Sequence, residues 1–246
     1  MNILIVGASG ATGRLLVEDL LNRGHMVKAV LRRRDSLPAA LTAHENLTLI
    51  EASLLDLSDA ELAALTKGCD AVASCLGHNL TFKGVFGFPR RLVTDATRRL
   101  CDAIRANAPD TQVRFVLMNT TGNTNRDIPE RVPLSQRIVT ALLRLILPPH
   151  VDNEKAADHL RLKVGQNDPI IKWAAVRPDG LIDETEVSDY DIHPSPIRNP
   201  IFDAGKTSRV NVANFMASLA TEDLIWKTWQ GRMPVIYNQI YNQTEG

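Results

Sequence analysis

Three glycines, Gly7, Gly10 and Gly13, stand in GxxGxxG spacing within the run Gly7-Ala8-Ser9-Gly10-Ala11-Thr12-Gly13. Glycines so placed let a phosphate reach backbone N–H groups at a helix start, where the dipole favours an anion. A side chain at Gly7 or Gly10 would hold a pyrophosphate away, and Gly13 lets a helix pack closely on a strand. Ser9 and Thr12 can add hydroxyl donors. No Gly-Lys-Ser/Thr follows, which excludes a Walker A loop. Further on, Leu31 leads into Arg32-Arg33-Arg34-Asp35. A site selective for NAD carries a carboxylate at this place, about 20 residues after the glycines, whereas guanidinium forks grip a 2′-phosphate. One charge-assisted hydrogen bond is worth roughly 1.5–3 kcal/mol, a preference of about ten- to hundredfold. The expected ligand is NADP(H), held by Gly7, Ser9, Gly10, Ala11, Thr12 and Gly13, with Arg32 and Arg33 ahead of Arg34.

Such a loop needs a strand before it and a helix after it. Ile3 to Val6 is a short apolar run that reads as a strand buried on both faces. Arg14 to Arg23 has helical spacing and is ended by Gly24. Further strands are read at Met26 to Leu31, Leu47 to Glu51, Asp70 to Leu76, Val113 to Met118 and Ile170 to Val176. Helices are read at Asp59 to Leu65, Leu92 to Ala106, Asn153 to Val164 and Val212 to Leu224, with a last short strand around Pro234 to Tyr237. Strands alternating with helices imply βαβ units and a parallel sheet covered on both sides. No linker divides the chain, so residues 1–246 read as one domain. Lys+Arg is 28 and Asp+Glu is 28, a formal net charge of zero, which argues against electrostatic capture by nucleic acid or an anionic membrane. Three cysteines make an odd count without repeated spacing, so a reducing compartment is expected rather than a disulfide framework. No apolar run is long enough for a membrane span, and Ile3 to Val6 is too short for a signal peptide. The expected location is cytoplasmic.

GASGATG after a first strand, with arginine closing the second, resembles the atypical short-chain dehydrogenases. The resemblance is to the branch of NAD(P)H-binding, NmrA-like and flavin- or biliverdin-reductase-like proteins. Three later segments are similar to family signatures: Ser74-Cys75-Leu76-Gly77, Phe115 to Gly122, and Ala175-Val176-Arg177-Pro178-Asp179-Gly180-Leu181. Thr207 to Ala213 resembles a fourth, at the start of a late helix. The resemblance implies one doubly wound α/β Rossmann fold, strand order 3-2-1-4-5-6, with small C-terminal additions. It also implies cofactor contacts at Leu76, Gly77, Asn119, Pro178 and Gly180; Ser53 and Leu54 complete the candidate cofactor set. The wider family uses Tyr-x-x-x-Lys for proton transfer, and none of Tyr190, Tyr237 and Tyr241 has that lysine. In the matching segment Lys155 fits the family lysine and Val151 falls where the tyrosine would stand.

The resemblance therefore assigns Lys155 to the nicotinamide ribose, unless it is a solvated first-turn lysine. Thr120 or Thr121 takes the place of the family serine; their hydroxyls hold substrate or nicotinamide, or simply satisfy the strand end. His150 is the natural proton source near pH 7. The remaining histidines lack metal-ligand spacing, so no metal is expected. Substrate-pocket segments are read at 78–91, 123–149 and 181–206. The first carries Phe82, Phe86 and Phe88, as a lid or as a loop anchoring itself. Within the second, Pro133 to Pro149 is a helix apolar on both faces, expected to be largely buried as a cap, against the sheet or against a partner. The expected function is an NADPH-dependent reductase passing hydride to a small carbonyl, quinone or flavin-like acceptor. The alternative is a non-catalytic NADP(H) sensor of the NmrA-like type. A small-molecule acceptor is the expected partner, with a homodimer left open.

Overall fold

Ile3, Leu4, Ile5 and Val6 are completely buried, as a central strand covered on both faces must be. In this computed structural model, which describes residues 1–78, 87–130 and 132–239, they form β1 (Asn2–Val6). It is followed by α1 (Ala11–Asn22), β2 (Met26–Leu31), the single turn α2 (Ala39–Thr42) and β3 (Leu47–Glu51). Next come α3 (Asp59–Thr66), β4 (Ala71–Ser74), α4 (Leu92–Ala106) and β5 (Val113–Met118). After them stand α5 (Leu134–Ile146), α6 (Pro148–His159) and β6 (Ile171–Pro178). The remaining elements are β7 (Gly180–Ile182), β8 (Tyr190–His193), β9 (Lys206–Ser208), α7 (Arg209–Thr221), α8 (Asp223–Trp229) and β10 (Val235–Asn238).

Eight strands make one sheet in the order β3-β2-β1-β4-β5-β6-β10-β8. The first six have the 3-2-1-4-5-6 order expected of a doubly wound fold, and all their pairings are parallel. Beyond β6 the sheet continues through β10, parallel to β6, and β8, antiparallel to β10. Strand alternation sorts the core into two layers. Leu4, Val72, Phe115 and Trp173 pack with α4 and α6 on one face. Ile3, Ile5, Ala73, Val116 and Val176 pack with α1 and α7 on the other.

Local chemistry sets the ends of these elements. Gly24 ends α1 at φ +77°, a left-handed conformation that glycine adopts without strain. Ser58 and Glu61 close a reciprocal capping box on α3. α6 begins earlier than the Asn153 expected from the sequence, because Pro148 and Pro149 occupy its first two positions, where a missing N–H costs nothing. A π turn, Leu160–Val164, completes the stretch. The C-terminal helix breaks in two at Glu222, and residues 181–206, read as a substrate-pocket segment, contain β8.

One expectation is not met within the single chain. α5 is not largely buried: Leu134, Ile138, Leu142, Leu145 and Ile146 are 54–82% exposed. It turns inward its second face, with Val139 and Leu143 half-buried and the polar Gln136 and Thr140 buried. The physical reason is that both faces are apolar, so packing must choose one, and Arg144 fixes the choice by gripping the buried Glu154 of α6.

Candidate functional site

α1 starts at the glycine loop with no side-chain cap and no acidic residue in its first turn. The N–H groups of that turn have no partner within the helix, which is the arrangement an anionic phosphate satisfies. Each glycine has its own reason. A Cβ on Gly13 would lie 2.1 Å from the Gly7 carbonyl oxygen, so the close packing expected there is present. Gly7 has φ +78°, and its Cβ would strike the Cys75–Leu76 backbone at 2.6–2.8 Å. It is therefore glycine for the crossing of β1 past β4, in addition to any need of a ligand. Gly10 has an ordinary φ of −72°, and a Cβ there would meet only the Gly7 oxygen, at 3.2 Å.

Over this loop opens a pocket of about 620 Å³, within the range of small-molecule sites. Gly7, Ser9 and Gly10 form its floor, Arg32, Ser53 and Leu54 one wall, and Leu76, Gly77 and His78 the other. Eight of the residues assigned to a cofactor from sequence thus share one cavity. Arg32 faces it without a carboxylate partner among the described residues. Arg33 instead donates Nε and Nη2 to Asp35 at 3.0 and 2.7 Å, both side chains being exposed. Thr12 is buried in the first turn of α1, so its backbone rather than its hydroxyl is available, as with Ala11. Phe88, 91% exposed, stands at the rim with Arg90 over its ring; Phe82 and Phe86 lie outside the described residues. In the wall, burial pushes the Cys75 thiol up to about 12, which leaves it an inert neutral group.

A second cluster gathers at the C-terminal ends of β5 and β6. Asn119 is buried and spent internally: its Nδ2 donates to the Asn153 carbonyl and its Oδ1 accepts the Thr120 N–H. It pins the end of β5 to α6. Thr121 N–H donates to the Pro178 carbonyl, and the Thr121 hydroxyl donates to Asp179 Oδ1 at 3.1 Å. Asp179, buried, also accepts the Gly205 N–H. Of the two threonines only Thr120 keeps its hydroxyl at the surface of the site, accepting the Gly122 N–H at 3.2 Å. The His150 ring lies against Gly122, 3.4 Å from where a Cβ would be. Gly180 pairs with Gly205 through its N–H, and a Cβ there would lie 2.8 Å from the Gly205 oxygen; its glycine serves the β7–β9 pairing.

α6 carries the rest. Val151 is half-buried and Lys155, one turn later, is exposed with no hydrogen-bond partner among the described residues. Between them lie two buried carboxylates that sequence reading missed. Asp152 accepts the Val93 and Thr94 N–H groups at the start of α4 and lies 2.8 Å from His78 Nε2. Burial pushes its carboxyl up, but these bonds win and hold it below the usual range. Glu154 takes Arg144 through both its oxygens and lies 3.5 Å from His150 Nε2. Burial opposes its ionisation, yet the His150 ring and the Arg144 guanidinium bring it down to about 2. A lone acidic residue on a helix gives no sign of burial; only Arg144 ten residues earlier hinted at a partner. Tyr190 Oη donates to Asn214 and Tyr237 is buried against Gly205, both in the C-terminal layer; Tyr241 lies outside the described residues.

A family model described as NAD(P)H-binding matches residues 7–223. Among known proteins, the chain is 33% identical over 84 residues to the divinyl chlorophyllide a 8-vinyl-reductase of Arabidopsis thaliana. That match covers 31% of this chain and 20% of the relative. It is 28% identical over 128 residues to the uncharacterised sugar epimerase YhfK of Bacillus subtilis, covering 52% of this chain and 56% of the relative. The chain thus spans about a fifth of one curated relative it matches and about half of the other. Among solved structures, a short-chain dehydrogenase/reductase from Veillonella parvula in complex with NADP superimposes with a TM-score of 0.70. Identity is 15%, over 96% of this chain and 94% of that one, a likeness of fold.

Proposed function

The chain belongs to the NAD(P)H-binding family, and from that premise we propose that it is an NADPH-dependent reductase that works without a tyrosine. The observation carrying this reading is the pocket over Gly7 and Gly10 with Arg32 in its lining just after β2, where an NAD-selective site carries a carboxylate; Asp56 also lines the pocket. Backbone N–H groups at the start of α1 hold the pyrophosphate, and Arg32 binds the 2′-phosphate. Leu54 and Leu76 flank the adenosine. The dinucleotide, when bound, supplies the hydride. Lys155 hydrogen-bonds the nicotinamide ribose, its ammonium being free to do so. Thr120 presents its hydroxyl to the acceptor, while Thr121 is committed to Asp179. His150, beside Gly122 and with Nε2 3.5 Å from Glu154, delivers the proton to the reduced acceptor. The acceptor is a small carbonyl, quinone or flavin-like molecule. The three cysteines, unpaired in the structure, suit a reducing, cytoplasmic setting.

Spectrophotometric NADPH oxidation against aldehydes, keto acids, quinones and free flavins tests the activity. Turnover with one class is the expected result. NADPH binding without oxidation by any of them would overturn the reductase in favour of a sensor of NADP(H) state.

A further inference from the structure

A second, smaller cavity of about 120 Å³ lies between the segment after β5, the first turn of α5 and residues 196–200. Its wall begins at Thr121, the residue after Thr120, so it adjoins the end of β5. At about 30 Å³ per water it has room for a carboxylate and two or three carbons, not for a ring system.

The polar groups around it divide sharply. Glu130 is fully used: Oε1 accepts from Arg177 Nη2 at 2.6 Å and Oε2 from the Asn125 N–H at 2.8 Å. The Thr121 hydroxyl is given to Asp179. Asn199 Oδ1 accepts the Ile201 and Phe202 N–H groups. What remains is mainly donors. Gln136 is only 7% exposed, lines the cavity, and its amide makes no hydrogen bond among the described residues. As a lining residue it offers that amide to whatever enters the cavity. The Thr124 hydroxyl has no hydrogen-bond partner among the described residues. Arg198 is held by Asp203 through Nε and Nη2, which aims the guanidinium and leaves Nη1 without a partner among the described residues. Finally, α5 follows the N-cap residue Pro133 with no side-chain cap and no acid in its first turn, so its first N–H groups lack intrahelical acceptors.

We propose that this cavity receives a carboxylate borne by the acceptor, so that the substrates are small carbonyl compounds carrying a carboxylate. The inference deepens the reductase reading and rests on it for the word substrate. Gln136 and Arg198 donate to the two oxygens, Thr124 donates to one of them, and the start of α5 adds a favourable dipole. The carbonyl carbon would then lie on the side of Thr120, at the end of β5 that the cavity adjoins. Apolar quinones leave Gln136 unanswered, which disfavours them.

The test uses the full chain saturated with NADP⁺, with side-chain amides labelled by ¹⁵N. It is titrated with 2-oxobutanoate, its methyl ester, and inorganic phosphate. Expected is a saturable shift of the Gln136 amide resonance with the acid and none with the ester. Gln136→Leu, which keeps the volume, and Arg198→Ala should each weaken the acid at least tenfold in titration by calorimetry, with NADP⁺ affinity unchanged. With NADPH, kcat/KM should favour the acid over the ester by a similar factor in the unaltered protein and lose that preference in both variants. Equal response to acid and ester, or no response of Gln136 to either, overturns the inference. So does phosphate binding as tightly as the acid, which would make this a free-anion site. Saturable binding of the acid with no NADPH oxidation would sustain the carboxylate site and overturn the reductase reading instead.

Discussion

Arg32 and Arg33 are neighbours in the chain with opposite fates. Arg32 faces the cofactor pocket, and Arg33 is answered by Asp35 on the surface. Arg32→Ala should therefore weaken NADPH about ten- to hundredfold, the loss of one charge-assisted bond, and leave NADH nearly unchanged. Arg33→Ala should move neither by more than about threefold, an exposed pair being worth little; calorimetric titration decides both. The threonines divide in the same way. Thr121→Val strips a hydrogen bond from buried Asp179 and should cost about 1–3 kcal/mol of stability in urea denaturation. Thr120→Val should spare stability and lower turnover. The sequence made both pairs legible as candidates but could not separate their members, because orientation at a strand end depends on what lies opposite. For Thr121 that partner is Asp179, 58 residues away. Arg33 and Asp35, two positions apart, were the exception, a pairing within reach of the sequence alone.

Helix α5 shows where periodicity stops being informative. With apolar residues on both faces, the pattern predicted burial and could not say which side. The structure exposes the side carrying Leu142 and Leu145. Leu145→Glu should accordingly shift stability by no more than about 0.5 kcal/mol, while Leu143→Glu, on the inward side, should cost several times that in the same thermal melts. The helix is tied to α6 by Arg144 and Glu154, and this tie depends on pH. The Glu154 carboxyl is lowered from an ordinary 4.5 to about 2. A lowered carboxylate contributes stability that is complete above its unfolded value and lost as pH falls through its folded value. The tie should thus hold fully above about pH 4.5 and fade toward pH 2. Glu154→Gln should flatten that part of the acid-unfolding curve, and an unchanged acid limb would contradict the assignment.

Across the whole molecule, the parallel sheet was readable because apolar runs alternate so regularly with helices, and the 3-2-1-4-5-6 order of its first six strands was what the family resemblance implied. Beyond β6, the strand read around Pro234 to Tyr237 is β10, but β8 was not legible: it has four residues and lies between Asp189 and Pro194 in a stretch without a long apolar run. Their junction is held by Arg177, completely buried. Its guanidinium donates to Met233, Asn123 and Pro194 carbonyls and to Glu130. Arg177→Ala strands the Glu130 charge and should cost about 3–5 kcal/mol, measured as a lower urea midpoint. That junction also has a history in time. β10 lies between β6 and β8, so an early-made strand waits for a late-made one. At roughly 5–20 residues per second, the ribosome needs about 2–8 s to pass from residue 193 to residue 235. Throughout that interval the edge of β6 is bare and β8 has no neighbour. A nascent chain stalled there would offer β6 as an open edge to other chains, the kind of surface that chaperones cover.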